Sequence, residues 1–288
     1  MAPSGSFSVE IFPAHTAEGH ARLAANVARL VALGPEFISV TYGAGGCTRA
    51  ASLAALRLVR DAGGVAVPHV SGAGASHDDI RSLLCEYETL NATRLVVLRG
   101  DPSSGLPGRG AFPYAAELVR FIRAETGSRY HIDVAAYPET HPQARNADDD
   151  LAHFKAKLDA GANSAITQYF FNADAYEDFL ERCAANGISV PVVPGVMPVA
   201  GFARLVRFSE AHGIEIPAWI RRRVAAYGDD ASAIRAFGVE IVCRLCERLL
   251  ALGAPGLHFF SLNDAQRVAS VATGLRAPVA AGRPQRGL

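Results

Sequence analysis

Lysine is almost missing from this chain. Lys155 and Lys157, both in the stretch DLAHFKAKLDAG, are the only two among 28 Lys and Arg residues. A Schiff-base aldolase needs a lysine amine on a strand, and no strand-like run here carries one. Cysteine is also sparse: Cys47, Cys85, Cys183, Cys243 and Cys246 make no disulfide framework. Cys243 and Cys246 form a CxxC, but it sits in the helical pattern VEIVCRLCERLLALG with no second Cys/His pair nearby. Small apolar residues on one helix face are therefore expected there, not a four-ligand zinc site. Acidic and basic residues balance at 28 each, so no partner among nucleic acids or membrane surfaces is expected. No run approaches the roughly 18 apolar residues of a membrane span. The start MAPSGSFSVEIF lacks the basic and long apolar regions of a signal peptide, and with reduced cysteines a cytoplasmic location is expected. No GxGxxG turn follows any strand-like run, and no HxH lies on the first, which leaves a dinucleotide-binding sheet and a metal hydrolase barrel without their signatures.

What is present is a large apolar content, 50% of 288 residues, arranged in alternation. Short runs rich in β-branched residues recur as FSVEIF (7–12), FISVTYG (37–43), VAVPHV (65–70), RLVVLRG (94–100), HIDVAAY (131–137), SAITQYFF (164–171), VPVVPGV (190–196) and GLHFFSL (256–262). Helical spacing fills the intervals, as in GHARLAANVARLVAL and DDIRSLLCEYETL, and several helices end on glycine, among them Gly34, Gly63, Gly127 and Gly253. Continuous apolar strands imply burial on both faces, hence a parallel sheet under helices. Eight strand–crossover pairs are the count of a (β/α)8 barrel, the TIM barrel, as a single domain over residues 1–275. Extra helices are expected before strand eight, in IPAWIRRRVAAYG and SAIRAFGVEIVCRLCERLLALG, and a loose Pro/Gly/Arg-rich tail over 276–288.

Barrel chemistry sits at the C-terminal ends of strands. Those ends carry Glu10, Thr41-Tyr42-Gly43-Ala44, His69, Arg99-Gly100-Asp101, then Tyr137, Glu139 and His141, then Gln168 and Tyr169, and finally Leu262-Asn263-Asp264. Each has an ordinary alternative. Glu10 is either a bottom-face charge or a buried carboxyl with a raised pKa, fit for proton transfer. His69 is a satisfied core histidine or a ligand group. YGAGG is a flexible turn or a close backbone approach to a ring or phosphate. Asp101 is a helix N-cap or a functional carboxylate, and the RGD it completes would be adhesive only on the exposed loop of a secreted chain. Lys155 and Lys157 are solvated surface charges or a phosphate contact.

In order along the chain, SVEIFPAHTAEG, FISVTYGAGGCTR, VPHV, LRGD, VAAYPETHP, KLDAGANSAITQYFF, VPGVMPV, IPAW and LHFFSLN resemble the motifs of bacterial 5,10-methylenetetrahydrofolate reductases. The resemblance covers roughly residues 7 to 275 and implies a single barrel with non-covalent FAD at its C-terminal mouth. It further implies a folate substrate, NAD(P)H as donor, no resident metal and a homo-oligomer. By position it assigns flavin contacts to Tyr42, Ala44, His69, Arg99, Gly100, Asp101, Ala115, Tyr137, His141, Asp150 and Lys157. It makes Glu10 the general acid and Asp101 the carboxylate beside flavin and pterin. Thr41 and Gln168 would meet folate or nicotinamide, Phe208 would stack on substrate, and Leu262 would form an apolar wall.

The family pattern is not matched everywhere. SFEFFPP is SVEIFPA here; His153 and Ala156 replace a usual Asn and Arg near the cofactor, and Arg204 and Asp264 replace a usual Gln and Arg near folate. These departures bear on cofactor and folate affinity. The implied reaction is a ping-pong hydride transfer through FAD that yields 5-methyltetrahydrofolate. Two alternatives remain at this level: a pterin-binding methyltransferase-type barrel without flavin, and a divergent reductase relative with a different electron donor.

Overall fold

The computed structural model describes residues 6–43, 48–100, 110–199 and 201–276. Eight parallel strands close into a barrel in strict chain order. They are β1 (Phe7–Ile11), β2 (Ile38–Val40), β3 (Ala66–Ser71), β4 (Arg94–Leu98), β5 (His131–Ala136), β6 (Ser164–Tyr169), β7 (Val192–Val196) and β8 (Leu257–Phe260). The crossovers are α1 (Ala17–Ala32), α2 (Arg49–Asp61), α3 (His77–Thr89), α4 (Ala115–Thr126), α5 (Ala147–Asp159), α6 (Ala173–Ala185), α7 (Phe202–His212), α8 (Ala218–Ala226) and α9 (Ala231–Ala251), and α10 (Ala265–Arg276) follows β8. The expected extra helices are α8 and α9. The expected tail, past Arg276, lies outside the described residues.

Local sequence explains these elements. In α1, Leu23, Val27 and Leu30 recur at helical spacing and are buried, while the Thr16 hydroxyl caps the N-terminus by accepting from Gly19 N at 3.0 Å. Ser76 and Asp79 form a capping box on α3. In each strand, alternate residues face opposite ways. Val9, Ile11, Ile38, Val40, Leu95, Val97, Ile132 and Val134 pack outward against the helices in one large core. Each such side chain stabilises the fold by roughly 1.5–3 kcal/mol, so Leu30→Ala alone would cost about 2–5 kcal/mol.

The other set points into the lumen, where Phe37, Val67, Val96 and Ile166 form a separate small cluster. Leu98 and Val193 pack against that cluster, and the lumen also carries buried polar and charged side chains among these apolar ones, unlike the usual stack of branched apolar residues. Near the bottom, Arg94 grips the fully buried Asp133 through Nε at 2.5 Å and Nη2 at 2.8 Å, and lies over the Phe37 ring at 4.4 Å. Ser164 also donates to Asp133, at 2.6 Å, and Ser8 meets His258 Nδ1 at 2.7 Å. Burial opposes ionisation of Asp133, yet the hydrogen bonds from Arg94, His131 and Ser164 hold its pKa at about 2. The helical CxxC reading holds: Cys246 is fully buried on α9, and Cys243 is half-buried with its Sγ 3.8 Å from Val271 O of α10.

Candidate active site

Position 10 lies on the lumen face because its neighbours Val9 and Ile11 face the helices. Register sets Glu10 beside Ser39 of β2 and Phe260 of β8, and Ser261 anchors its backbone by donating Oγ–H to Glu10 O at 2.5 Å. His69 arrives from β3 with Nε2 at 3.5 Å from Glu10 Oε2. That spacing would suit an ion pair, but both groups are buried and burial acts against both charges. It raises Glu10 to about 8 and lowers His69 to about 3; the nearby His258 adds to the latter and Asp133 opposes it. The pair is therefore a protonated carboxyl beside a neutral imidazole at neutral pH. Glu10 is not the bottom-face charge of the alternative reading.

A second group gathers at the ends of β4 and β5. Gly100 takes φ +82°, and a Cβ there would strike Ser71 Oγ and come within 2.7 Å of the Ala73 Cβ, so only glycine lets β4 end against β3. Arg99 then donates Nη2 to Gln143 Oε1 at 2.7 Å. Tyr137 and His141 meet edge to face at 4.5 Å, and His141 N donates to Asp150 Oδ2 at 2.9 Å. Lys157, half-buried on α5, donates to Ala135 O at 2.5 Å beside the Phe154 ring. Burial pulls it down to about 8, with Asp150 opposing and Arg99 adding to the effect. Ala115 opens α4 beside the exposed Tyr114, whose ring stacks on His153 at 5.3 Å and 17°. Neither position supplies a guanidinium next to Lys157: His153 stacks on Tyr114 and Ala156 ends in a methyl.

The far side of the mouth is built by β6 to β8. The β6–β7 register shifts between Ile166 and Tyr169, and Gly195 N donates to Thr167 Oγ1 at 2.9 Å across the irregularity. Such a bulge re-aims the next side chain, here the half-buried Gln168, whose Oε1 accepts from Tyr169 N at 3.0 Å. Phe208 comes from α7, stacked on Tyr169 at 6.0 Å and packed on His212 at 4.1 Å. Leu262 and Asn263 are consecutive left-handed residues, with φ of 50° and 59°. Asn263 is held by two 2.8 Å hydrogen bonds with Phe12, one accepted from its N–H and one donated to its carbonyl. Asp264 accepts from Arg267 N at 3.1 Å and pairs with Arg267 Nε at 2.9 Å, so its charge is neutralised at the start of α10. Ala44, Asp101 and the Arg204 side chain lie outside the described residues.

The structure thus brings Glu10, Thr41, Tyr42, His69, Arg99, Gly100, Tyr137, Gln168 and Leu262 to one end of the barrel, with Ala115, His141, Asp150, Lys157 and Phe208 around it. Gln143, Ser261, the Asn263–Phe12 link and the Ser39–Glu10 pairing are not singled out in the sequence. Of these, the asparagine carried a signal, because Asn tolerates left-handed backbone better than most residues. The donor set suits a dinucleotide cofactor: Arg99 and Lys157 stand close enough for each to feel the other's charge, with Asp150 the acidic group that opposes burial at Lys157, and two cations at the mouth suit a diphosphate. Thr41 Oγ1 and His69 Nε2 are buried and unpartnered among the described residues.

A buried acid and a cationic shelf at that end of a closed parallel barrel place the protein among the barrel enzymes. Comparison with known proteins narrows the class. The family described as Methylenetetrahydrofolate reductase matches residues 2–276. The chain is 37% identical over 262 residues to the 5,10-methylenetetrahydrofolate reductase of Escherichia coli (strain K12), covering 90% of this chain and 86% of that one. It is 34% identical over 271 residues to the probable methylenetetrahydrofolate reductase (NADH) of Oryza sativa subsp. japonica, covering 89% of this chain and 46% of the plant protein. The protein belongs to the methylenetetrahydrofolate reductase family of oxidoreductases. Among solved structures, a Clostridium thermocellum protein that binds two copies of 5-methyl-5,6,7,8-tetrahydrofolic acid superposes with TM-score 0.64 at 19% identity, covering 96% of this chain and 95% of that one, a likeness of fold.

Proposed function

We propose that this protein reduces 5,10-methylenetetrahydrofolate to 5-methyltetrahydrofolate with electrons from a reduced nicotinamide, in two half-reactions at one mouth that holds FAD. The observation that carries the reading is Glu10, a buried carboxyl at the mouth that keeps its proton at neutral pH. Arg99 and Lys157 would hold the cofactor's diphosphate, with Tyr42, His69, Gly100, Ala115, Tyr137, His141 and Asp150 along its length. The chemistry FAD supplies when bound is two-electron hydride transfer between nicotinamide and folate.

The chain's own groups do the rest. Glu10 donates its proton to the bridging nitrogen of the folate, which opens the five-membered ring to an iminium cation. Asp101, assigned by the resemblance, supplies negative charge next to that cation. Phe208, stacked on Tyr169, offers a flat apolar surface to a planar substrate ring, and Leu262 closes the opposite wall. Gln168 and Thr41 offer polar contacts to whichever of nicotinamide or folate occupies the space. One space serving both in turn is the physical basis of a ping-pong order. In the reverse direction the Glu10 carboxylate takes the proton back.

The test is a visible spectrum of the purified protein followed by anaerobic stopped flow. Flavin bands, bleaching by NADH or NADPH, and reoxidation by methylenetetrahydrofolate are expected. Glu10→Gln should keep the first half-reaction and slow the second by about 10²–10⁴-fold. A colourless protein that still binds folate would favour the pterin-binding methyltransferase-type barrel, and loss of both half-reactions together would remove Glu10 from its role.

A further inference from the structure

The assignments at the mouth leave one buried hydroxyl without a task. Among the described residues, Ser39 Oγ, Thr41 Oγ1 and His69 Nε2 are buried with no hydrogen-bond partner. All three belong to one patch of the lumen wall. Ser39 is paired with Glu10 across β1 and β2. Thr41 is two residues further along the same inward face, and His69 is its neighbour on β3, because Val40 pairs with Pro68 one residue earlier. His69 Nε2 stands 3.5 Å from Glu10 Oε2, beyond the usual hydrogen-bond distance of about 2.7–3.2 Å. Thr41 and His69 lie towards the rim, where a ligand in the mouth can reach them. Ser39, with no exposed surface, is a pleat deeper and level with the acid.

A buried polar atom left unpaired costs about 1–3 kcal/mol, so a cluster of them around a carboxyl calls for a shared partner. A small polar molecule with about three hydrogen bonds to otherwise unsatisfied groups is the usual solution. We propose that Ser39 Oγ, Thr41 Oγ1 and His69 Nε2 hold an internal water that hydrogen-bonds the Glu10 carboxyl and solvates its charge while the proton is away. Ser39 is thereby a positioning residue for the acid: it acts through the water and touches no substrate.

The chemistry is consistent with both roles of the site. A protonated Glu10 donates to the water, which donates onward to the neutral imidazole or to a hydroxyl oxygen. Once Glu10 has given up its proton, the same water turns a hydrogen towards the carboxylate. The other titratable groups facing this region are His258 from β8, and Asp133 from β5 paired with Arg94 from β4. Burial keeps both histidines neutral, and the Arg94–Asp133 charges offset one another. Solvation of a Glu10 carboxylate within the described lumen therefore falls to neutral hydroxyls and water. The inference rests on Glu10 being the acid, and its test separates the two claims.

Infrared difference spectroscopy of the purified protein across pH follows the C=O stretch of a protonated carboxylic acid, assigned to Glu10 by its loss in Glu10→Gln. In Ser39→Ala, which keeps the fold and removes only the hydroxyl, the stretch should move to higher frequency. Its titration midpoint should rise by about one pH unit, the equivalent of one lost hydrogen bond to a charged group. Thr41→Val, of nearly equal shape, should move the midpoint the same way. The folate half-reaction should slow by about tenfold in Ser39→Ala while nicotinamide oxidation is unchanged, a split that loosened packing would not produce. An unchanged band and midpoint in both variants would overturn the water site. Retained folate turnover in Glu10→Gln would instead sink the assignment of the acid and leave the spectroscopic result standing.

Discussion

Replacing Glu10 with glutamine should make the protein more stable at neutral pH, the opposite of what loss of a buried ion pair would do. Burial raises this carboxyl from its ordinary 4.5 to about 8, so above pH 4.5 the folded chain keeps a proton that the unfolded chain releases. The resulting stability is complete below pH 4.5, declines as pH rises, and is lost by about pH 8. At 1.36 kcal/mol per pH unit, the interval from 4.5 to 7 removes about 3 kcal/mol. Glutamine has the same shape and no proton to lose, so the variant escapes that decline, less whatever its buried amide leaves unpaired. Urea unfolding at pH 5, 7 and 8.5 measures it. The wild-type free energy should fall by roughly 2–3 kcal/mol between pH 5 and 7, and the variant's by far less. Were Glu10 a carboxylate paired with a charged His69, Glu10→Gln would destabilise by about 3–5 kcal/mol. Parallel curves, or a less stable variant at pH 7, refute the protonated pair.

At the other end of the lumen the sign reverses. Arg94→Met strands the Asp133 carboxylate in a fully buried site, which should cost about 3–5 kcal/mol at pH 7 and lower the Tm visibly. Asp133 is held near 2, below its ordinary 3.8, so its stabilising effect is present above pH 3.8 and fades as pH falls towards 2. The deficit of Arg94→Met should shrink in acid, and a Tm equal to wild type at pH 7 would show that Arg94 is not the partner. Asn263→Ala removes both hydrogen bonds to Phe12 and leaves alanine in a left-handed conformation, for a loss of about 2 kcal/mol. Hydrogen exchange at the Phe12 amide should accelerate in that variant; an unchanged rate would mean that the asparagine does not fasten the two strand ends.

Much of this architecture is written in patterns that act over a few residues. VVL before Arg99 and AIT before Gln168 read as strands because both faces of each are covered. Thr16 and Ser76 announce their helices by capping them. The ring of groups at the mouth followed from one rule, that strand ends of a barrel converge. What stayed hidden depends on register. Asp133 in HIDVAAY looks like any strand carboxylate until β4 is set beside β5 and Arg94 arrives 39 residues away. The β6 irregularity that aims Gln168 has no mark in SAITQYFF, where the eight-residue reading overran the observed Ser164–Tyr169. Likewise β2 is three residues rather than seven: Thr41 N still donates to Ile11 O of β1 at 3.1 Å, and beyond it the chain turns into the βα loop at Tyr42 and Gly43. Ser39 is an unremarkable serine in sequence and acquires meaning only opposite Glu10.

The fastening of β1 to β8 has a consequence for how activity emerges during folding. Glu10 lies on the first strand of the barrel, yet Ser261 and Asn263, which hold the end of that strand, follow some 250 residues later. Such distant contacts form late, after the loop-closure entropy of nearly the whole chain has been overcome. Glu10, the acid of the proposed reaction, is thus seated only when β8 docks. A half-assembled barrel can carry every residue of the cationic shelf and still have no placed Glu10 carboxyl. Under the proposed function, completion of the fold and onset of the folate step are the same event.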